Sequence, residues 1–137
     1  MAPKATTRAP PPSLTPTPTV AVSAPVSGFS PDLWGPSMWF MMHLTAATYP
    51  DAPTPTDKAN YMAFYKSLQH ILPCMGCRMG YQGYIAAGPT KLTLKTMASR
   101  ESLFKWTVDV HNQVNAKLRK PVQTDYLAWY AEYDKLR

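Results

Sequence analysis

An all-α chain, built as a four-helix bundle with a short fifth helix, is the fold class this sequence predicts. Three observations carry that reading. Apolar residues recur at helical spacing in two long stretches, 61–72 and 103–114. Proline and glycine punctuate the chain between such stretches. No segment reads convincingly as a strand, and short helices joined by short connections pack as an antiparallel bundle.

The elements follow in order. The first helix is predicted over about 36–49, with Pro36 in its first turn and Pro50 as its stop. The second is predicted over about 57–72, capped by Thr56 or Asp57. Its stripe is Tyr61, Phe64, Tyr65, Leu68, Ile71 and Leu72, and Pro73 breaks it. The third begins at Cys74 and runs to Ala86 or Ala87, where Gly88-Pro89 ends it. Gly76, Gly80 and Gly83 weaken it as an isolated helix and leave its backbone open to close approach. Residues 90–98 read as a loop. The fourth helix covers about 99–118, with Leu103, Trp106, Val110 and Val114 on one face. A shorter fifth covers about 124–135, after Pro121.

Residues 1–28 stand apart. They are rich in Pro, Thr, Ala and Ser and hold no aromatic residue. Such a stretch cannot bury enough surface to offset its ordering entropy, so a disordered tail is expected there and one domain over 29–137. No secretory leader and no membrane span are expected, because no apolar run is long enough.

The formal charge is +6, with a pI near 9.4. The positive charges do not form a long run, and a solvated basic face accounts for them. No nucleic-acid surface is expected. Two cysteines are too few for a secreted domain held by disulfides, which points to an intracellular protein with a reactive pair.

That pair is the most informative feature. Cys74 and Cys77 stand in Pro73-Cys74-Met75-Gly76-Cys77. Pro73 places Cys74 at the start of a helix, where unpaired N–H groups and the helix dipole favour a thiolate. At i and i+3 both sulfurs lie on one face and can bond to each other. A redox-active dithiol follows. Two packed, inert thiols are the plain alternative. Zinc is another, but it needs two further ligands, and His43, His70 and His111 do not fall at zinc-ligand spacing. A thioredoxin-type fold would need a βαβ pattern, which is not found.

Two further stripes bear on the pair. Trp39 and His43 are i and i+4 on the first helix. His111, Val114, Asn115 and Leu118 fall at i, i+3, i+4 and i+7 on the fourth. Buried His and Asn need hydrogen-bond partners. An aromatic, nitrogen-rich ligand between the helices satisfies them, and so does a polar network within the core; the residues alone leave both open.

Taken together the landmarks resemble the Erv/ALR family of flavin-dependent sulfhydryl oxidases. They run in order over about 34–120: Trp39-x-x-x-His43, Tyr49-Pro50, Pro73-Cys74-x-x-Cys77, Trp106, and His111-Asn112-x-Val114-Asn115-x-x-Leu118. The Trp34-Gly35-Pro36 opening and the compact size look most like versions encoded by large cytoplasmic DNA viruses. The resemblance implies FAD held at the bundle mouth and a homodimer. By position, Trp39 and His43 contact the flavin nucleotide from the first helix. His111, Asn112, Val114, Asn115, Lys117 and Leu118 hold its adenine and ribose side. Lys120 and the backbone of Gly35, Pro36 and Ser37 are neighbours of the cofactor. Cys77 lies against the isoalloxazine, and Cys74 exchanges with an incoming dithiol. No metal is implied.

The implied partners are molecular oxygen and a dithiol protein, thioredoxin-like or a small C-x-x-C protein. The implied place is the host cytoplasm, and the virion, if the source is viral. The chain departs from cellular relatives in lacking a second cysteine pair in its tail. It also lacks their link between the fourth helix and the C-terminal segment, at Val108 and roughly Asp125. Trp129 and Tyr130 are expected to pin that segment instead, with Trp129 a candidate flavin contact. Two other functions stay in view: a zinc-stabilised interaction module without catalysis, and a flavin-free dithiol carrier.

Overall fold

A computed structural model describes residues 23–137. The disordered tail expected over 1–28 therefore falls outside the described residues, except for 23–28, which carry neither helix nor strand. Among the described residues there are five α-helices: α1 (Pro31–Ala47), α2 (Pro55–Ile71), α3 (Met75–Ala86), α4 (Arg100–Lys117) and α5 (Tyr126–Asp134). A short 3₁₀ turn, Gly88–Thr90, follows α3, and no strand occurs among the described residues. Helix α1 packs on α4, α2 packs on α3, and α5 lies across α1 and α4. The first four form the bundle, and the fifth is short, as expected.

Two helices begin earlier than expected, for the same reason. Ser30 accepts the Asp32 N–H and Pro31 takes the first turn, so α1 starts at Pro31 and carries Pro36 inside it. Thr54 caps α2 in a capping box with Asp57, and Pro55 opens that helix. The added turn of α1 brings Pro31, Asp32 and Trp34 to the cavity described below. Ile71 of the expected α2 stripe is exposed, whereas Tyr65, Leu68 and Leu72 are buried.

The core joins Met42, Ala46, Tyr49, Tyr65, Leu68, Met97, Leu103, Phe104, Trp106, Val108 and Val110. Its large side chains keep polar tips, and each tip finds a carbonyl. Tyr65 donates to Met42 O at 2.8 Å, Tyr81 to Tyr65 O at 2.7 Å and Tyr49 to Met97 O at 2.9 Å. Trp106 donates to Thr90 O at 2.8 Å. These bonds tie α1, α2, α3 and the 90–97 connection into one register. Burial pushes the Tyr65 and Tyr81 hydroxyls above the usual phenol range, which keeps them neutral donors.

Helix α5 is held without a covalent link. Tyr130 meets Phe104 edge-on at 5.3 Å, and the Tyr126 hydroxyl donates to Glu101 at 2.9 Å. Asn112 clamps the incoming strand of chain from both sides. It donates to Gln123 O at 2.6 Å and accepts from Gln123 N at 2.8 Å. Val108 is buried in the core.

Candidate functional site

Helix α3 sets the pair. Cys74 is its N-cap, and the Cys74 sulfur accepts the Cys77 N–H at 3.2 Å. Cys74 and Cys77 are joined in a disulfide, with Cα atoms 5.1 Å apart. Both are half-buried, and Cys77 alone of the two packs against the core. A sulfur at a helix N-terminus is favoured as a thiolate, so reduction of this bond leaves Cys74 stabilised by the Cys77 N–H and the dipole.

The disulfide opens onto a cavity of about 790 Å³. That lies in the upper part of the range of about 300–1,000 Å³ found for ligand pockets. One wall is α1, with Gly35, Pro36, Trp39 and His43. The opposite wall is α4, with His111, Val114, Asn115 and Lys117, followed by Leu118 and Lys120. Cys74, Gly76, Cys77 and Gly80 supply the α3 side. Two residues expected at the cofactor do not border the cavity. Ser37 is exposed on another face of α1, and the Asn112 side chain is committed to Gln123.

A Schellman motif aims the end of α4. Arg119 takes φ +55°, the Lys120 N–H reaches Asn115 O at 2.8 Å, and the Arg119 N–H reaches Ala116 O at 3.2 Å. This reversal puts Lys120 beside Lys117 at the cavity edge.

Aromatic faces line the space between α1 and α4. Trp39 stacks on His111 with ring centres 4.0 Å apart and planes 7° apart. Trp129 meets His43 edge-on at 4.9 Å and tilts against His111 at 5.4 Å. The two histidines bond to each other, His43 Nε2 to His111 Nδ1 at 2.9 Å, and His43 Nδ1 lies 2.8 Å from Thr107 Oγ1. Burial, and then repulsion from His111, push His43 down to about 3. Burial, and then the charge of Lys120, push His111 down to about 4. Near pH 7 both rings are neutral.

Apart from Cys77 and Trp129, which the sequence already offered, the following wall residues were not singled out as site residues, although their spacing carried a signal. Cys77, Gly80, Tyr81 and Tyr84 fall at i, i+3, i+4 and i+7, and all four border the cavity. Tyr126, Trp129, Tyr130 and Tyr133 repeat that spacing on α5, and Trp129 and Tyr133 border it too. Met38, Met42 and Leu72 complete the apolar lining and had no distinguishing signal.

Gly76 and Gly80 test what the cavity accepts. A Cβ at Gly76 would meet nothing within 4 Å, and one at Gly80 nothing nearer than Lys117 Nζ at 3.9 Å. No protein atom requires either glycine. Their bare backbone faces the cavity beside the disulfide, where a flat ring can lie close. The site thus combines flat aromatic walls, a smooth floor and two lysines suited to anionic groups. Among the described residues no three His, Cys, Asp or Glu side chains gather to hold a metal ion.

Fold and site together define a helical-bundle redox protein whose C-x-x-C disulfide faces a cavity suited to an aromatic, anionic ligand. Comparison with known proteins is specific: the Erv1 / Alr family matches residues 36–134. The chain belongs to that family. It is 41% identical over 95 residues to a probable FAD-linked sulfhydryl oxidase, R368, of Acanthamoeba polyphaga mimivirus, covering 69% of this chain and 65% of that protein. It is 38% identical over 87 residues to the mitochondrial FAD-linked sulfhydryl oxidase ERV1 of Saccharomyces cerevisiae, covering 64% of this chain and 43% of the relative. The matches therefore span less than two thirds of either relative. The crystal structure of the FAD binding domain of Erv1 from the same yeast superposes with a TM-score of 0.69 at 32% identity, covering 79% of this chain and 97% of that one.

Proposed function

We propose that this chain is an FAD-linked sulfhydryl oxidase that forms disulfide bonds in partner proteins. The observation that carries it is the Cys74–Cys77 disulfide opening onto the aromatic cavity between α1, α3 and α4. The names of the relatives support the same reading. The oxidase domain is 29–137, with 1–28 as its tail.

The donor set fits FAD. Trp39, His43 and His111 offer ring faces to the nucleotide, and Asn115 and the backbone of Gly35 and Pro36 offer polar neighbours. Lys117 and Lys120 balance the pyrophosphate charge, and Val114 and Leu118 pack the adenosine side. Gly76, Gly80 and Cys77 face the ring system.

The thiol steps belong to the protein. A substrate thiolate attacks Cys74 Sγ; a mixed disulfide forms and Cys77 leaves as a thiolate. A second substrate thiolate attacks the substrate sulfur of that mixed disulfide and releases Cys74. The substrate departs oxidised, and the pair holds two electrons. When bound, FAD supplies the two-electron acceptor for the reduced pair and passes those electrons to oxygen, giving hydrogen peroxide. The sum is 2 R–SH + O₂ → R–S–S–R + H₂O₂.

The substrate is a dithiol protein, thioredoxin-like or a small C-x-x-C protein, docking directly at Cys74. Two cysteines in all leave none for an internal shuttle. The chain acts as a homodimer, for which α1 leaves Leu33, Phe40 and Met41 exposed. Its place is intracellular: the host cytoplasm, and the virion, if the source is viral. No helix among the described residues is long and apolar enough to cross a membrane.

Purified protein is expected to be yellow, and its flavin absorption to bleach with dithiothreitol under argon and return with air. A folded, colourless protein that cannot be loaded with FAD overturns the reading.

A further inference from the structure

Thr107 does not border the cavity described above and belongs to none of the motifs, yet it is fully buried and touches His43 of the histidine pair. We propose that Thr107 is a positioning residue: it fixes the tautomer of His43, and through it that of His111, so that His111 turns a bare Nε2 acceptor toward the cavity. The part of this that concerns the cofactor rests on the FAD reading above.

A count of protons along the chain of contacts decides each ring. The Thr107 hydroxyl has one proton. It lies 2.7 Å from Phe104 O, a carbonyl that can only accept, so the proton points there. The reverse arrangement would leave those two oxygens 2.7 Å apart with nothing between them. Thr107 Oγ1 therefore accepts from His43, and His43 Nδ1, 2.8 Å away, carries the N–H.

A neutral imidazole carries one N–H, and burial keeps these rings neutral. His43 Nε2 is then bare. His111 Nδ1, 2.9 Å from it, must donate. That leaves His111 Nε2 bare as well. No buried side-chain nitrogen or oxygen among the described residues lacks a partner. The unpaired His111 Nε2 thus stands in accessible space, and the space that His111 borders is the cavity.

The consequence is selectivity for a donor. A ligand group opposite His111 Nε2 must bring an N–H or O–H, such as the amino group of a nucleobase or a sugar hydroxyl. An acceptor placed there meets a lone pair. The register originates at the Phe104 carbonyl, three residues before Thr107, and crosses from α4 to α1 and back. Thr107 is the only link in it that a side-chain change can remove without touching either histidine.

The test uses FAD-loaded, ¹⁵N-histidine-labelled protein with Thr107→Val and Thr107→Ser variants. Proton-bearing and bare imidazole nitrogens resonate in separate ¹⁵N ranges. Wild type is expected to carry the proton on Nδ1 of both His43 and His111. Thr107→Val removes the acceptor, shifts the His43 proton to Nε2 and reverses His111. FAD affinity then falls roughly ten- to a hundredfold, the effect of one mispaired buried hydrogen bond. Thr107→Ser retains the hydroxyl and restores both the tautomers and the affinity. A purely structural role would lower stability in Val without reversing the rings.

An N–H on Nε2 of His111 in wild type overturns the proposal. Unchanged tautomers and affinity in Thr107→Val overturn it too. Protein that takes up no FAD overturns the cofactor half together with the reading beneath it. The histidine spectrum of that same protein still decides the relay.

Discussion

Acidification from pH 7 to pH 5 is expected to weaken this fold through two neutral, buried histidines. An unfolded histidine titrates near 6.5. In the folded chain His43 is pushed down to about 3 and His111 to about 4, each chiefly by burial. Between those values and 6.5 the unfolded state binds more protons, so stability falls as pH falls. The loss begins near pH 7, steepens below 6.5, and levels off once the folded rings also charge.

For His43 the difference between pH 7 and pH 5 is about 2 kcal/mol. That figure does not depend on where the folded value sits below about 4.5, because at pH 5 the folded ring is bare either way. His111 faces open cavity and adds a smaller share. Asp57, held below the usual carboxylate range by hydrogen bonds from Thr54, titrates only in stronger acid and is silent in this window. Against a total stability of about 5–15 kcal/mol the loss is large. Urea unfolding at constant ionic strength and saturating FAD, at pH 7, 6 and 5, measures it. His43→Phe should be less stable at pH 7 but have a shallower pH slope. A wild-type stability that stays flat or rises toward pH 5, or an unchanged slope in His43→Phe, would refute the assignment of buried neutral rings.

The remaining predictions follow from contacts already described. Cys77→Ser should retain FAD and lose all turnover in an oxygen-electrode assay, because the sulfur facing the flavin is gone and Cys74 alone cannot close a disulfide to hand on an electron pair. Cys74→Ser should be equally inactive but retain a Cys77 thiolate beside the flavin, read as long-wavelength absorption. Gly80→Ala has room for its methyl group, whose nearest neighbour is Lys117 Nζ at 3.9 Å. It should stabilise α3 by about 0.5–1 kcal/mol in FAD-free protein while lowering FAD affinity, measured by flavin fluorescence on titration. Asn112→Ala removes both bonds to Gln123. It should cost about 1 kcal/mol and speed proteolysis after Pro121, while the Tyr65 core retains its slow hydrogen exchange.

Much of the fold was legible because its signals are local. Helical spacing in α2 and α4, and Ser99 before α4, specify those elements with no tertiary information. The starts of α1 and α2 were misplaced although their signals were equally local. Ser30-Pro31-Asp32 and Thr54-Pro55-Thr56-Asp57 are each a cap followed by a first-turn proline. Pro36 drew the boundary because proline suits the first turn of a helix and removes a hydrogen bond from its interior. The helix runs through it nonetheless, with only its first turn upstream.

The site divides along the same line. Stripes confined to one helix could be read, and so Trp39, His43, His111 and Asn115 were found. Tyr133 lies in an equally regular stripe with Trp129, which the resemblance alone offered as a candidate, but nothing in that stripe says which neighbour it will face. Thr107 could not be found at all. Its partner His43 is 64 positions away, and only the packing of α1 on α4 brings them together.

That distance explains how the site stays ordered with so little covalent restraint. The sole disulfide closes a three-residue step and cannot fix one helix against another. The register between α1 and α4 rests instead on directional contacts that tolerate little slippage. A shift of one residue would separate His43 from both Thr107 and His111 and unstack Trp39 from His111. Helix α5 closes the remaining side through Trp129, itself held by Asn112 and the Tyr130–Phe104 contact. The cavity is therefore as stable as the bundle that forms it, while the sulfur pair at its edge remains free to open and close without loosening the helices.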